Sequence, residues 1–243
     1  MKLFTRSVIV ILGLLLLWQG IVSFWDLPNY MLPSPGEVFK TLFEQRAILA
    51  TESLPTITET VLGLILGLLI GSCAGLAITF FRPIRYWFWP LLIISQAIPT
   101  FAIAPLLVMW LGYGLASKIV TTIIMIFFPI TSALYDGLRK TNRDWLDLAK
   151  TMNAQKWRCF WHIHIPAALP SLASGIRIAA VAAPIGAIVG EWVGASHGLG
   201  FIMLNANARM QIDVMFAALI VIIAFALTLY TCIDYLLRRL ITW

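Results

Sequence analysis

The chain has 243 residues, of which 60% are hydrophobic and 12% charged, and its formal net charge is +6. The mean hydropathy of +0.91 lies far above that of soluble domains, so the composition excludes a soluble globular protein and favours an integral membrane protein. The three cysteines are scattered without a CxxC pair, so they predict neither a disulfide framework nor a metal site.

Apolar segments long enough to cross a membrane recur along the chain. A spanning helix needs about 20 mostly apolar residues to cross about 30 Å of hydrocarbon. We place six such spans, at about 8–25, 54–80, 86–110, 118–135, 172–194 and 213–236. The sequence therefore predicts an all-α polytopic protein with six transmembrane helices. They form one membrane domain over 1–243, with its core at about 54–236.

The distribution of charge predicts the topology. If the N-terminus is cytoplasmic, twelve of the 17 Lys and Arg residues fall on inner segments, as the positive-inside rule requires. The basicity then reflects orientation in the membrane and not binding to nucleic acid, and both termini are expected in the cytoplasm. Lys2 and Arg6 resemble the start of a signal peptide, but the apolar run is long and no A-x-A site follows. We interpret this run as a retained first span.

Two features precede the third span. The sequence LPSPGE stands before apolar residues at Val38, Leu42 and Phe43, which predicts a short amphipathic helix at the outer surface.

In the second span, four glycines recur every fourth residue on one helix face, which lets another helix approach closely. We expect this glycine face to pack against another helix of the same chain. The alternative is that it forms an interface with another subunit. These glycines are Gly63, Gly67, Gly71 and Gly75.

The third span is interrupted by Pro99 and Pro105, each of which removes a backbone donor from the helix. Carbonyl groups freed at membrane depth need partners from neighbouring helices or from a water-lined cavity. Ser95, Gln96 and Thr100 supply polar atoms beside the break. These three residues are candidates for the lining of a pathway, and a kinked packing helix is the equal alternative.

A charged stretch separates the fourth and fifth spans. From Asp136 to Arg158 the chain carries six Lys or Arg residues and three Asp residues. Asn142 can cap a helix with an apolar face, and Asn153 tolerates the left-handed conformation that ends a helix. A second helical piece is expected from Ala154 until Pro166 stops it. These two short helices either lie on the lipid surface or dock on another cytoplasmic protein.

The fifth span carries an acidic residue, Glu191, with no basic residue within a helical turn along the chain. Carboxylates in membrane segments usually face protein or water, so Glu191 is a candidate for a pathway or gate. A structural carboxylate that caps a helix turn is the alternative. The neighbouring Trp192 is a candidate for a cavity wall or an interfacial anchor.

The charged stretch resembles the EAA motif, EAA-x3-G-x9-I-x-L-P, of the permease subunits of ABC importers. The spacing matches throughout, with departures to Asp, Leu, Asn and Ile at four positions. The matching residues are Asp147, Leu148, Ala149, Asn153, Ile163, Ile165 and Pro166. In that family the motif forms a coupling helix that fits a groove on the ATPase subunit. The resemblance therefore implies a coupling loop at about 136–168. Its ATPase-coupling residues would be Asp147, Leu148, Ala149, Asn153, Ala154, Ile163 and Pro166.

The resemblance covers most of the chain and extends to the nitrate/sulfonate/taurine-type branch, through MLPSPGEVF, SQAIPTFAIAPLLVMWLGYG and GEWVGASHGLGFIM. Within this branch, the chain most resembles permeases for pyrimidine precursors of thiamine (hydroxymethylpyrimidine type), through the segments SQ and VGEWVGAS. A riboflavin-linked subgroup has similar segments. The resemblance implies a type I importer fold, with a second permease copy as a homodimer, two ATP-binding subunits and an external binding protein. It also implies a bacterial inner-membrane location. No GxxxxGK[ST] loop is present, so a partner hydrolyses ATP, and we expect no cofactor or metal.

Two other classes of function are less consistent with the sequence. An intramembrane enzyme would use His162, His164 or Cys159 with a serine such as Ser95 or Ser171, but the sequence offers no positioned base and orienting acid. The HxH pair does not suggest a metal site, because alternate residues on a helix point apart. An ion channel or ATP-independent transporter would leave the coupling motif without a role.

Overall fold

The computed structural model describes the backbone of residues 2–241 and the side chains of residues 9–241. All regular secondary structure in this range is helical, which confirms the predicted all-α class. The helices are α1 (Lys2–Trp25), α2 (Pro35–Glu44), α3 (Arg46–Phe80), α4 (Arg82–Ala97), α5 (Thr100–Leu111), α6 (Leu115–Arg139), α7 (Arg143–Thr151), α8 (Lys156–Cys159), α9 (Ile165–Gly194), α10 (Leu199–Ala208) and α11 (Ile212–Leu240).

Four helical segments of the described range are long and apolar enough to cross a membrane, namely α3, α6, the run Lys156–Gly194 and α11. They contain four of the six predicted spans. Helices α4 and α5 together cover the predicted third span, but they meet at a bend of 104° and form a fifth crossing only as one broken span. The part of α1 with described side chains, Ile9–Trp25, is a shorter apolar helix. The sixth crossing therefore stays a prediction.

Helix α6 is the central helix of the fold, because small residues on two other helices let it approach both closely. A Cβ atom added to Gly63 of α3 would lie 2.5 Å from Cγ2 of Thr122, and one added to Gly186 of α9 would lie 2.8 Å from the Cα of the same threonine. The hydroxyl of Thr131 donates a hydrogen bond of 3.0 Å to the carbonyl of Gly71. The glycine face of α3 therefore packs within the chain, as predicted.

Helix α2 confirms the short helix expected after LPSPGE. Ser34 and Glu37 form a capping box at its start, in which each side chain bonds to the backbone of the other residue. Val38 is fully buried against residues of α3, α9, α10 and α11. The hydroxyl of Thr41 also donates to Asp213 at the start of α11, over 2.7 Å. These contacts fix α2 to the helical core.

The charged stretch forms the two helices that the sequence predicts, but its second helix ends elsewhere. Asn142 caps α7 by accepting the N–H of Asp144, and Asn153 has a left-handed φ of 55°. The helix that begins at Lys156 then continues into α9, so the expected stop at Pro166 is wrong. A π-helical turn, Phe160–His164, precedes the proline. The wider turn accommodates the missing donor and the ring of Pro166, which lies in the first turn of α9.

Candidate functional sites

A cavity of about 750 Å³ opens beside the break between α4 and α5. Its other walls come from α6 and α9. The polar residues of its lining are Ser95, Gln96, Thr100, Ser132, Asp136, Lys140, Ser171 and Ser174. The structure thus brings together the three residues that the sequence nominated beside the break, and it adds polar residues from two further helices. That these residues line a pathway remains a prediction.

The break leaves carbonyl groups without partners at the C-terminal end of α4. Ile98 makes no capping hydrogen bond, and Pro99 has no N–H to offer. Among the described residues, neither backbone nor side-chain donors outside the helix reach the carbonyls of residues 95–97. Two of these three residues, Ser95 and Gln96, line the cavity.

The structure places Glu191 away from this cavity, in a buried site near the C-terminal end of α9. Its Oε1 accepts a hydrogen bond of 2.6 Å from the hydroxyl of Thr56, and its Oε2 accepts one of 2.6 Å from the N–H of Gly200. The residue is 1% exposed, whereas the adjacent Trp192 is 44% exposed. This bonding favours the structural alternative for Glu191, and the gate role remains untested.

Side chains from two helices hold the start of α10. The first N–H groups of a helix have no intrahelical partner, so they need acceptors from elsewhere. Here the N–H groups of residues 198–200 bond in turn to Glu52, Thr56 and Glu191, over 2.6, 2.9 and 2.6 Å. The start of α10 is therefore fixed to α3 by two hydrogen bonds and to α9 by a third.

A buried ion pair that was not predicted from the sequence joins α3 to α6. Nζ of Lys118 lies 3.0 Å from Oε1 of Glu59. The sequence carries one signal for this pair, namely an acidic and a basic residue on two apolar segments. Ionisable residues in such segments tend to pair with one another.

Helices α7 and α8 present exposed apolar side chains around the turn at Asn153. Trp145 is 53% exposed, Leu148 62% and Met152 74%. Asp147 is exposed as well and lies 2.7 Å from the ammonium of Lys150. This hydrogen bond and the lysine charge hold the pKa of Asp147 below its ordinary value.

The residues matched to the motif lie in two recesses beside this turn and on the exposed surface outside them. Ala149, Asn153, Ala154 and Ile163 line a shallow recess of about 470 Å³. Pro166 lines a neighbouring recess, which also contains Ile163. The two exposed residues Asp147 and Leu148 belong to neither recess. The turn is closed by the N–H of Ala154, which donates to the carbonyl of Ala149 over 2.9 Å.

Comparison with known proteins identifies the chain. Residues 60–242 match the family described as the binding-protein-dependent transport system inner membrane component. The chain belongs to this family. It is the permease component of an ABC importer and an inner-membrane protein, and such permeases work with a separate ATPase and a substrate-binding protein.

Relatives match the permease over nearly its whole length. It is 51% identical to a probable ABC transporter permease protein of Haemophilus influenzae, over 99% of each chain. It is 34% identical to the formylaminopyrimidine transport permease protein ThiX of Halalkalibacterium halodurans, over 96% of this chain and 93% of that one. It is 31% identical to the riboflavin transport system permease protein RibX of Chloroflexus aurantiacus, over 97% and 88%.

A solved structure shares the fold of the permease. A chain of the inward-facing MetNI methionine ABC transporter aligns with a TM-score of 0.67 at 18% identity. The alignment covers 81% of this chain and 97% of that chain. The helical architecture is therefore that of ABC importer permeases.

The two histidines of the HxH pair have separate hydrogen-bond partners. Nδ1 of His162 lies 3.0 Å from the carbonyl of Arg158, and Nδ1 of His164 lies 3.1 Å from the hydroxyl of Thr141. The two rings thus have separate partners. Within the described residues, no three His, Cys, Asp or Glu side chains are grouped for a metal ion.

Proposed function

We propose that this permease carries the substrate across the membrane by alternating access and couples that movement to ATP hydrolysis through the turn at Asn153. The observation that carries the proposal is the exposed apolar surface of α7, which ends in a left-handed asparagine where the EAA motif has glycine. Exposed apolar surface beside a rigid turn is the kind of feature that a partner protein covers. The motif residues Asp147, Leu148, Ala149, Asn153, Ala154, Ile163 and Pro166 would make or support this docking.

We propose an assembly of two copies of the permease with two ATP-binding subunits and an external binding protein. Six spans and both termini in the cytoplasm would put the turn on the ATPase side, as the distribution of Lys and Arg residues supports. Two permease copies then enclose the pathway, and closure of the ATPase pair on ATP moves α7 and the helices joined to it. The whole chain, 1–243, acts as one transmembrane domain.

For the substrate, we propose a pyrimidine precursor of thiamine of the hydroxymethylpyrimidine type. The formylaminopyrimidine permease relative, 34% identical over nearly the full length, supports this choice. Riboflavin is the alternative that the relative at 31% identity supports. Sulfonate, taurine or nitrate is a further alternative, which the resemblance to that branch keeps open.

Substitutions at the turn test the coupling. Asn153→Pro, or Asp147→Arg, is expected to leave the permease inserted but to abolish substrate-stimulated ATP hydrolysis by the assembled importer in lipid. Asn153→Gly is the matched control, because glycine adopts the same left-handed conformation without strain. Normal ATPase binding and transport by the proline variant would overturn the coupling proposal. Substrate uptake by the permease alone, without ATP, would favour an ATP-independent transporter instead.

Ligand-stimulated ATP hydrolysis tests the substrate. The importer would be reconstituted in lipid with its ATPase and binding protein, and hydroxymethylpyrimidine, riboflavin and an alkanesulfonate would be compared. Stimulation by the pyrimidine alone is the expected result. Stimulation by the sulfonate alone would retain the permease and reject the pyrimidine.

A further inference from the structure

We infer that the cavity beside the α4–α5 break is a binding site that selects uncharged ligands bearing hydrogen-bond donors. The inference rests on the proposed transport function and specifies the class of substrate that the membrane pathway accepts. It depends on the acceptors, the unbonded polar side chains and the charges of the cavity wall.

Unpaired backbone carbonyls are found on two walls of the cavity. The carbonyls of Ser95 and Gln96 lose their helical partners where α4 ends. On the facing helix, Pro129 lacks the N–H that would bond to the carbonyl of Met125, and both residues line the same cavity. An unpaired carbonyl at membrane depth is costly, so these positions favour water or a ligand that donates hydrogen bonds.

Several polar side chains of the cavity lining have no hydrogen-bond partner. The amide of Gln96 and the hydroxyls of Ser171 and Ser174 make no hydrogen bond to another described residue. The hydroxyls of Ser95 and Ser132, in contrast, are each bonded to a backbone carbonyl of their own helix. The hydroxyl of Thr100 in the lining is unbonded as well, so one amide and three hydroxyls are free to bond to a ligand.

The charged residues of the cavity wall balance each other. One acidic residue, Asp136, and one basic residue, Lys140, line the cavity, and they lie four residues apart near the end of α6. Arg177 of α9 is not part of the lining and is bound to Asp234 of α11 over 2.6 Å. The lining thus offers no excess of positive charge to an anion. A sulfonate has oxygens that only accept hydrogen bonds, so it would leave the wall acceptors unpaired.

Apolar surface completes the match to a small heterocycle. Met125 and Phe128 of α6 and Ile178 of α9 line the cavity between the polar groups. An amino-substituted aromatic ring offers apolar faces to these side chains and N–H donors to the carbonyls. A pyrimidine with an exocyclic amino group has both properties.

Direct binding to the permease–ATPase complex tests the inference without the selectivity of the binding protein. The probes are hydroxymethylpyrimidine, its N,N-dimethylamino analogue, which lacks the exocyclic N–H donors, and an alkanesulfonate. Equilibrium dialysis of the complex in lipid nanodiscs is expected to show the amino compound binding about tenfold or more tightly than either other probe. Equal binding of the amino and dimethylamino compounds, or preferential binding of the sulfonate, would overturn the inference.

Variants of the lining assign the selectivity to this cavity. Gln96→Leu and the double variant Ser171→Ala/Ser174→Ala are expected to reduce the preference for the amino compound several-fold. Gln19→Leu and Ser196→Ala are matched controls, since neither residue lines the cavity. If the lining variants keep the wild-type preference while the importer still transports the pyrimidine, the inference fails and the proposed function stands. If the pyrimidine does not stimulate ATP hydrolysis by the wild-type importer, the proposed substrate itself fails.

Discussion

The ammonium of Lys118 lies 3.0 Å from a carboxylate oxygen of Glu59, and their side chains are only 10% and 1% exposed. The pair joins α6 to α3 in the apolar interior of the permease. The second oxygen of Glu59 is buried without a hydrogen-bond partner in the described residues. The lysine is therefore the main compensation for a buried carboxylate.

Removal of Lys118 should destabilise the permease strongly. Lys118→Leu leaves the carboxylate of Glu59 buried without its counter-charge, and such losses cost about 3–5 kcal/mol. We expect a large fall in the thermal midpoint of the purified permease in detergent. The double variant Glu59→Gln/Lys118→Leu removes both charges and should recover most of the loss. Equal midpoints for the single variant and the wild type would contradict this role of the pair.

A methyl group on the glycine face of α3 should separate α3 from α6. The Cβ of Gly63→Ala would lie 2.6 Å from Cβ of Thr122, whose branched side chain has little freedom to move. We expect a loss of about 1–3 kcal/mol, as for other overpacked sites, measured by thermal unfolding. Gly13→Ala in α1 is the matched control, because its added Cβ would meet no atom within 4 Å. A loss of the same size in both variants would show that packing against α6 is not the cause.

Local sequence signals predicted the local structure of the permease well. The cap at Asn142 and the left-handed Asn153 depend on residues within one or two helical turns, and the shared face of the α3 glycines depends on their regular spacing of four residues. Pro166 was misread because its effect depends on the π-helical turn before it, and no residue type specifies such a turn. The sequence therefore located the charged loop but not the continuity of its second helix.

Tertiary relationships were harder to predict from the sequence. The partners Glu59 and Lys118 are on different helices, and a single sequence gives no measure of which helices become neighbours. The interruption at Pro99 was predictable, whereas the bend of 104° depends on the packing of α4 and α5 against α6. Three residues of the cavity were found because they adjoin that proline. Ser171 was named only as a possible enzyme nucleophile, and Ser174 was not named, because serines in an apolar helix carry no pattern that marks the wall of a cavity.

Lys150 should lower the pKa of Asp147 without controlling its charge at neutral pH. The hydrogen bond from Lys150 is the largest cause of the depressed pKa, so Lys150→Ala should raise it towards the ordinary value of about 3.9. When folding lowers the pKa of a carboxyl group, that group stabilises the folded state at pH values above its unfolded-state pKa. This stabilisation is lost as the pH falls through the folded-state pKa. Coupling near neutral pH should therefore be unchanged in the variant. NMR titration of the Asp147 carboxyl carbon measures the shift, with Lys156→Ala as the control. No rise in the pKa of Asp147 would contradict the assignment.

Glu191 should determine how firmly the loop between α9 and α10 is held. Glu191→Ala removes the acceptor for the N–H of Gly200 and the partner of the Thr56 hydroxyl, and each buried group left unpaired costs about 1–3 kcal/mol. Glu191→Gln should cost less, because its amide oxygen can still accept from Gly200 while its NH₂ group donates to Thr56. Hydrogen exchange of a peptide covering 198–200 should accelerate strongly in the alanine variant and weakly in the glutamine variant.

The same Glu191 variants separate a structural role from a gate. If the carboxylate only anchors the loop, the glutamine variant should transport every substrate as the wild type does at all pH values tested. A change in the pH dependence or substrate preference of transport, with hydrogen exchange at 198–200 close to that of the wild type, would instead assign Glu191 to the pathway. Exchange that stays at the wild-type rate in the alanine variant would contradict the anchoring role, because the N–H of Gly200 would then be protected without its carboxylate partner.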